Sequence, residues 1–208
     1  MRYLLDLFLH LDDQLGAIIS QYGGWTYAIV FVVLFCETGL VVTPVLPGDS
    51  LLFALGAFAA RGDVNVWILA LVLFSAVTLG DNVNYWVGRK VERVLSAGKT
   101  IRWLNQEHLH QTQEFYKRHG GKTIIMARFV PIVRTFAPFV AGIGKMSYLQ
   151  FFSYSIAGVV LWIIVAVGAG YFFGNIPFVQ EHFSLAAIAV VIISLLPAVW
   201  HYWKAKRR

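Results

Sequence analysis

The chain has 208 residues, 58% of them hydrophobic and 13% charged, with a mean hydropathy of +0.66. These values exclude an ordinary soluble domain and indicate an integral membrane protein. Lys and Arg outnumber Asp and Glu by 17 to 11, but the basic residues gather in one loop and at the C-terminus, so no basic domain remains for nucleic acid. One cysteine, Cys36, excludes an intrachain disulfide and argues against a cysteine-based metal site; no metal or cofactor is expected.

Residues 1–24 place Leu and Ile at helical spacing against Arg2, Asp6, His10, Asp12 and Asp13, which reads as an amphipathic helix lying at a membrane interface. The same acidic residues do not fit a cleavable signal peptide. Residues 25–60 form two apolar arms joined by TPVLPGD, in which Pro44, Pro47 and Gly48 break the helix. The second arm, from Ser50 to Ala60, rises only about 16 Å, half of a roughly 30 Å hydrocarbon core, so a re-entrant hairpin is expected.

Residues 65–88 are long and apolar enough to span, with Asn65 placed to cap the start. Residues 89–122 are polar and basic and should be cytoplasmic. Residues 123–145, containing ARFVPIVRTFAPFVAG, carry Arg128 and Arg134 and are interrupted by Pro131, Pro138 and Gly142; a second re-entrant hairpin is expected. Residues 147–171 open with a capping box at Ser147 and Gln150 and read as a spanning helix. Ala166, Gly170 and Gly174 recur every four positions, as at a close helix contact. A last span is expected over 185–203, before a cytoplasmic KAKRR terminus.

Charge placement orients the whole. If residues 123–145 crossed fully, KAKRR would lie outside; if they enter and leave on the cytoplasmic face, both basic regions stay inside. The first hairpin then opens outward. Two opposed hairpins, each followed by a spanning helix, read as an inverted repeat with a transport site near the midplane. Tyr85-Trp86-Val87-Gly88 and Tyr171-Phe172-Phe173-Gly174 look like matching helix ends.

Five charges fall within these apolar segments: Glu37, Asp49, Asp81, Arg128 and Arg134. At about 2.5 to 3.5 kcal/mol each when unpaired, they should converge on one wet or mutually paired site. The guanidinium forks suit an anion such as phosphate and carry no proton. Glu37, in the middle of its arm, is the plausible proton carrier. Asp49 is equally placed to cap its helix, and Asp81 to be solvated at the membrane edge. A set of purely structural ion pairs is the alternative to a functional site.

The ordered motifs FCETGLVVTPVLPGDSLLFALGA, GDNVNYWVGR and ARFVPIVRTFAPFVAG, with Trp162 beyond them, resemble the DedA family of bacterial inner-membrane proteins, also called VTT-domain proteins, from end to end. The resemblance implies two opposed re-entrant hairpins with spanning helices and an inner-membrane location. It also implies movement of polyprenyl phosphate, with undecaprenyl phosphate foremost, or of a related phospholipid, coupled to the proton gradient. The acidic residues that members need match Glu37 and Asp49, the essential arginines match Arg128 and Arg134, and Asp81 stands in a Gly-Asp motif. The expected protein is thus a lipid translocase and not an enzyme. A proton-coupled transporter of a small ion or osmolyte is the alternative.

Overall fold

The computed structural model describes residues 11–39, 48–97, 120–177 and 179. Residues 1–10, the Pro44 and Pro47 turn, the central part of the basic loop, the 185–203 span and the KAKRR terminus lie outside that set. The described secondary structure is helical: α1 (Leu11–Tyr22), α2 (Trp25–Gly39), α3 (Gly48–Arg61), α4 (Val66–Ser96), α5 (Lys122–Ala127), α6 (Pro131–Ile143) and α7 (Tyr148–Phe173).

Local chemistry sets these limits. The Asn65 side chain accepts from the amides of Trp67 and Ile68 at 3.0 and 3.2 Å and opens α4 as its sequence suggests. The Ser147 hydroxyl accepts from the amide of Gln150 at 3.4 Å at the start of α7. Among the described residues, α4 and α7, at 31 and 26 residues, are the helices long and apolar enough to cross a bilayer. Their outward sides carry Trp67, Leu71, Leu79, Ile164 and Phe172, a surface suited to lipid rather than water. α4 runs past the expected end at Gly88 for two further turns, because Arg89 to Ser96 are good helix formers without Gly or Pro.

The break in the arginine segment is at residues 128–130. Pro131 disfavours helix at the residue before it, and Val130 is extended (φ −118°, ψ 106°) while Pro131 takes the first helical position of α6. Pro138 and Gly142, expected as further breaks, lie inside α6. Pro138 withholds one donor from the carbonyl of Arg134 without ending the helix. α6 ends in a Schellman motif: the amide of Met146 bonds Ala141 O at 3.1 Å and that of Lys145 bonds Gly142 O at 3.3 Å. Lys145 holds the left-handed position (φ 57°) that favours glycine.

The chain forms two compact units. The first takes the described residues up to Leu34, α3, α4 to Ser75, and the chain from Leu161; the second takes Phe35 to Gly39, α4 from Ala76, α5, α6, and α7 to Val160. In the first unit α1 packs on α3, with Gly16 against the Phe58 ring. Arg61 lies over that ring at 5.3 Å and bonds Asn175 at 3.1 Å. α3 lies on α7 with no room for side chains between: a Cβ at Gly56 would overlap Val167 O, and one at Gly170 would overlap the Phe53 carbonyl.

The second unit repeats the device. A Cβ at Gly142 of α6 would overlap Tyr85 O of α4, and one at Gly88 would overlap the Phe139 carbonyl. The short helices carry matching sequences here, Phe53-Ala-Leu-Gly56 and Phe139-Val-Ala-Gly142. Gly170 is thus the counterpart of Gly88. The aromatic pattern pairs Gly88 with Gly174, one turn too far, and it sets buried Tyr85 against exposed Tyr171. Gly174 instead packs on Ala57. The second core gathers Tyr85, Ile124, Ala137, Ala141 and Phe151, with Tyr85 stacked on Phe151 at 4.4 Å and its hydroxyl donating to Met146 O at 2.6 Å.

Near the end of α4, Glu92 receives Lys145 Nζ at 2.8 Å and the Ser96 hydroxyl at 2.6 Å. Burial pushes its carboxyl up, but the bonds from Lys145 and Ser96 and the charge of Arg89 outweigh it and hold the group below its ordinary 4.5. A depressed carboxylate stabilises the fold above its unfolded value and loses that contribution as pH falls through the folded one. Acid unfolding of the purified chain, followed by circular dichroism below about pH 4.5, should therefore be shallower in Glu92→Gln than in the native chain.

Gly142→Ala and Gly170→Ala should each destabilise by about 1 to 3 kcal/mol, since backbone must shift to admit the methyl group. Gly168→Ala, on the same helix with nothing within 4 Å of its added Cβ, should be neutral or slightly stabilising. Thermal melts in detergent check the contrast.

Candidate functional site

Four of the five charges singled out in the apolar segments belong to the second unit, and they pair two by two. Glu37 comes from the last turn of α2, Asp81 from the middle of α4, Arg128 from the residue that closes α5, and Arg134 from the first turn of α6. All four are at least 95% buried. A buried charge is tolerated only when paired and hydrogen-bonded, and these are.

Arg134 Nη2 meets Glu37 Oε1 at 2.7 Å. Arg128 addresses Asp81 with both ends of its fork: Nη1 lies 3.4 Å from Oδ1, and Nη2 bonds Oδ2. Ser155 of α7 completes this second group, donating to Asp81 Oδ2 at 2.6 Å and accepting from Arg128 Nη2 at 3.2 Å. Asp81 is fully buried, so the solvated reading at the membrane edge does not hold.

Glycines allow this convergence. Gly39 meets Gly80 at backbone distance, and a Cβ at Gly80 would overlap the Thr38 hydroxyl, so the end of α2 reaches α4 where Gly80 has no side chain. Gly158 of α7 lies against Ile125 and Arg128. Pro131 supplies the bend that puts the two arginines on different helices.

Asp49 belongs to the first unit. It stands in the first turn of α3, where its Oδ1 accepts from Trp162 Nε1 at 2.8 Å, both side chains being buried. Gly48 opens α3. Four of the five charges are thus paired within the second unit, and the printed partner of Asp49 in the first is Trp162.

The uncharged members of the site were not singled out from the sequence. Ser155 is one of several serines in a long helix, and nothing in its neighbours marks it. Asn84 stands one turn beyond Asp81 on the same face of α4, and that spacing was the available signal. Trp162 appeared only as part of a family resemblance.

The arrangement holds two guanidinium groups in a protein-lined interior, each neutralised by a carboxylate. Such a group can accept an anion by exchange with the carboxylate, or release the guanidinium when the carboxylate takes a proton. Among the described residues no three His, Cys, Asp or Glu gather as metal ligands.

A family model described as the VTT domain matches residues 46–172. The chain is 48% identical over 207 residues to Protein DedA of Escherichia coli K12, covering 99% of this chain and 94% of that one. It is 38% identical over 180 residues to an uncharacterized membrane protein of Mycobacterium leprae, covering 85% and 81%. It is 29% identical over 194 residues to the inner membrane protein YqjA of Escherichia coli K12, covering 88% and 86%. No solved structure matches the chain significantly. With the model match extending over most of the chain and the first of these relatives aligned nearly end to end, the chain belongs to the DedA family of VTT-domain membrane proteins.

Proposed function

We propose that this protein is a translocase for a lipid phosphate, with undecaprenyl phosphate as the substrate that best suits the family and the site, driven by the proton gradient across the inner membrane. The observation that carries the reading is that each of two buried arginines is closed by a carboxylate. A phosphate monoester offers the oxygens that a guanidinium fork binds, and its polyprenyl tail can stay in the bilayer while the head group passes.

The exchange runs as follows. A proton taken up by Glu37 cancels its charge and loosens its hold on Arg134. The phosphate then pairs with the guanidinium in place of the carboxylate. Loss of the proton on the other side restores the Glu37 pair and expels the phosphate. Arg128, with Asp81 and Ser155, adds a second positive group to the same passage. No bond is made or broken in the lipid. Asp49, which accepts from Trp162, is assigned to the proton side of the cycle.

The topology belongs to the same proposal. α3 and α6, with 14 and 13 residues, reach about 20 Å, short of a roughly 30 Å hydrocarbon core. Each is taken as the second arm of a re-entrant hairpin, the first opening outward and the second to the cytoplasm, with the basic loop and C-terminus cytoplasmic. The pairing of both arginines also suits a second reading, a proton-coupled transporter of a small ion or osmolyte, in which the arginines never meet lipid.

Vesicles containing the purified chain and labelled undecaprenyl phosphate separate the two. Flipping should occur, accelerate with an imposed pH gradient, and fall at least about tenfold in Arg128→Ala and in Arg134→Ala, since each removes a guanidinium fork that would hold the phosphate. Glu37→Gln should retain lipid binding and lose the pH response. No flipping, or flipping indifferent to both arginines, sinks the lipid reading. For topology, a cysteine at position 145 in a Cys36→Ser chain should react with an impermeant maleimide only from the cytoplasmic side; reaction only from outside refutes the hairpin.

A further inference from the structure

Asn84 carries no charge and takes no part in the exchange just described, yet it is the most enclosed polar residue of the cluster, with no exposed surface. Its amide nitrogen donates two hydrogen bonds to two segments far apart in the chain. One goes to Thr38 O at 3.1 Å, the other to Thr135 O at 2.6 Å. Thr38 follows Glu37, and Thr135 follows Arg134. A single side chain on α4 thus ties down the backbone beside each member of the ion pair.

Few residues could do this. Two diverging N–H groups on one planar nitrogen at this reach exist in Asn; Ser and Thr have one donor, and an ionised Asp has none. The Asn84 carbonyl oxygen finds no partner among the described residues, so the donor end does the holding. An asparagine here is also costly: it is a poor helix former, and a buried amide is tolerated only for its bonds.

We infer that Asn84 is the positioning residue of the Glu37 and Arg134 pair. It is a clamp on the backbones of α2 and α6 that fixes the spacing of carboxylate and guanidinium while the pair itself opens and closes. The inference rests on the exchange reading of that pair. If the backbones were free to part when Glu37 is protonated, the carboxylate would not return to the same place, and proton release would no longer expel the anion. Among the described residues, the paired charges on the elements it ties or sits on are Glu37 of α2, Arg134 of α6, and Asp81 of its own helix with its partner Arg128.

The test compares native chain, Asn84→Ala and the near-isosteric Asn84→Asp, which keeps the shape and loses both donors. Two readouts are taken in vesicles. Cys36, the chain's single cysteine and the neighbour of Glu37, reports the α2 end through its rate of alkylation by N-ethylmaleimide. The pH profile of labelled undecaprenyl phosphate flipping reports the pair.

Both variants should be alkylated several-fold faster at unchanged helix content, and the flipping profile should flatten or shift its midpoint. In Asn84→Asp the defect should shrink at low pH, where a protonated carboxyl restores one donor. An unchanged Cys36 rate overturns the inference, and so does a changed rate with a flipping profile that superimposes on the native one, which leaves only a structural tie. If Asn84→Ala does not fold, Asn84→Asp alone decides. If the native chain flips no lipid, the functional reading falls, and the Cys36 rate in Asn84→Asp still decides the clamp.

Discussion

A guanidinium cannot be left unpaired in an interior without water, and this chain buries two of them within one short segment. Much of the second unit follows from that constraint. Arg128 must end one helix and Arg134 must begin another if each is to meet its own carboxylate, and Pro131 provides the bend by forcing Val130 out of helical geometry. The carboxylates must then be delivered from α2 and α4. Glu37 arrives where α2 ends on Gly39 against Gly80, and a side chain at Gly80 would overlap Thr38.

The same economy governs the apolar contacts. In water the hydrophobic effect would press helices together; in lipid, close packing and backbone approach must do so. Both short helices therefore present a glycine to the backbone of a long helix and receive a glycine from it, Gly56 with Gly170 in one unit and Gly142 with Gly88 in the other. The repeat is one of packing chemistry rather than of aromatic pattern. Phe53 and Phe139 stand at equivalent points because their carbonyls, not their rings, touch the opposing glycine.

That difference explains what was legible in the sequence. Charges in apolar surroundings are conspicuous, so Glu37, Asp81, Arg128 and Arg134 stood out, and the prolines and short arms showed that the backbone is interrupted. Partner choice did not stand out, because 97 residues separate Glu37 from Arg134 and 47 separate Asp81 from Arg128, and a linear pattern carries no information on which carboxylate meets which arginine. Pro138 and Gly142 misled: a helix breaker in sequence is a weak signal where neighbouring segments can meet the freed groups or where glycine serves close contact. Asn84 and Ser155 were missed because an uncharged polar residue in an apolar helix is common. Only its bonds tell a clamp from a bystander.

The pairing also bears on how an anion could cross such an interior. Introducing a phosphate to an unpaired arginine would require that arginine to wait, uncompensated, in a low-dielectric site, at a cost that a fold of ordinary stability could not bear. Exchange avoids this. On the proposed reading a proton neutralises Glu37 as the phosphate arrives, so the guanidinium is opposed by one anion before and after, and the count of uncompensated buried charges stays at zero throughout. Arg128 is held differently, by a two-pronged carboxylate and a serine on a third helix, and giving up that partner requires three groups to move together. On the proposed reading Arg134 is the group that exchanges, while Arg128 keeps its carboxylate. A resident pair that stays neutral, with one exchangeable pair, gives the anion a partner without a surplus of positive charge to trap it.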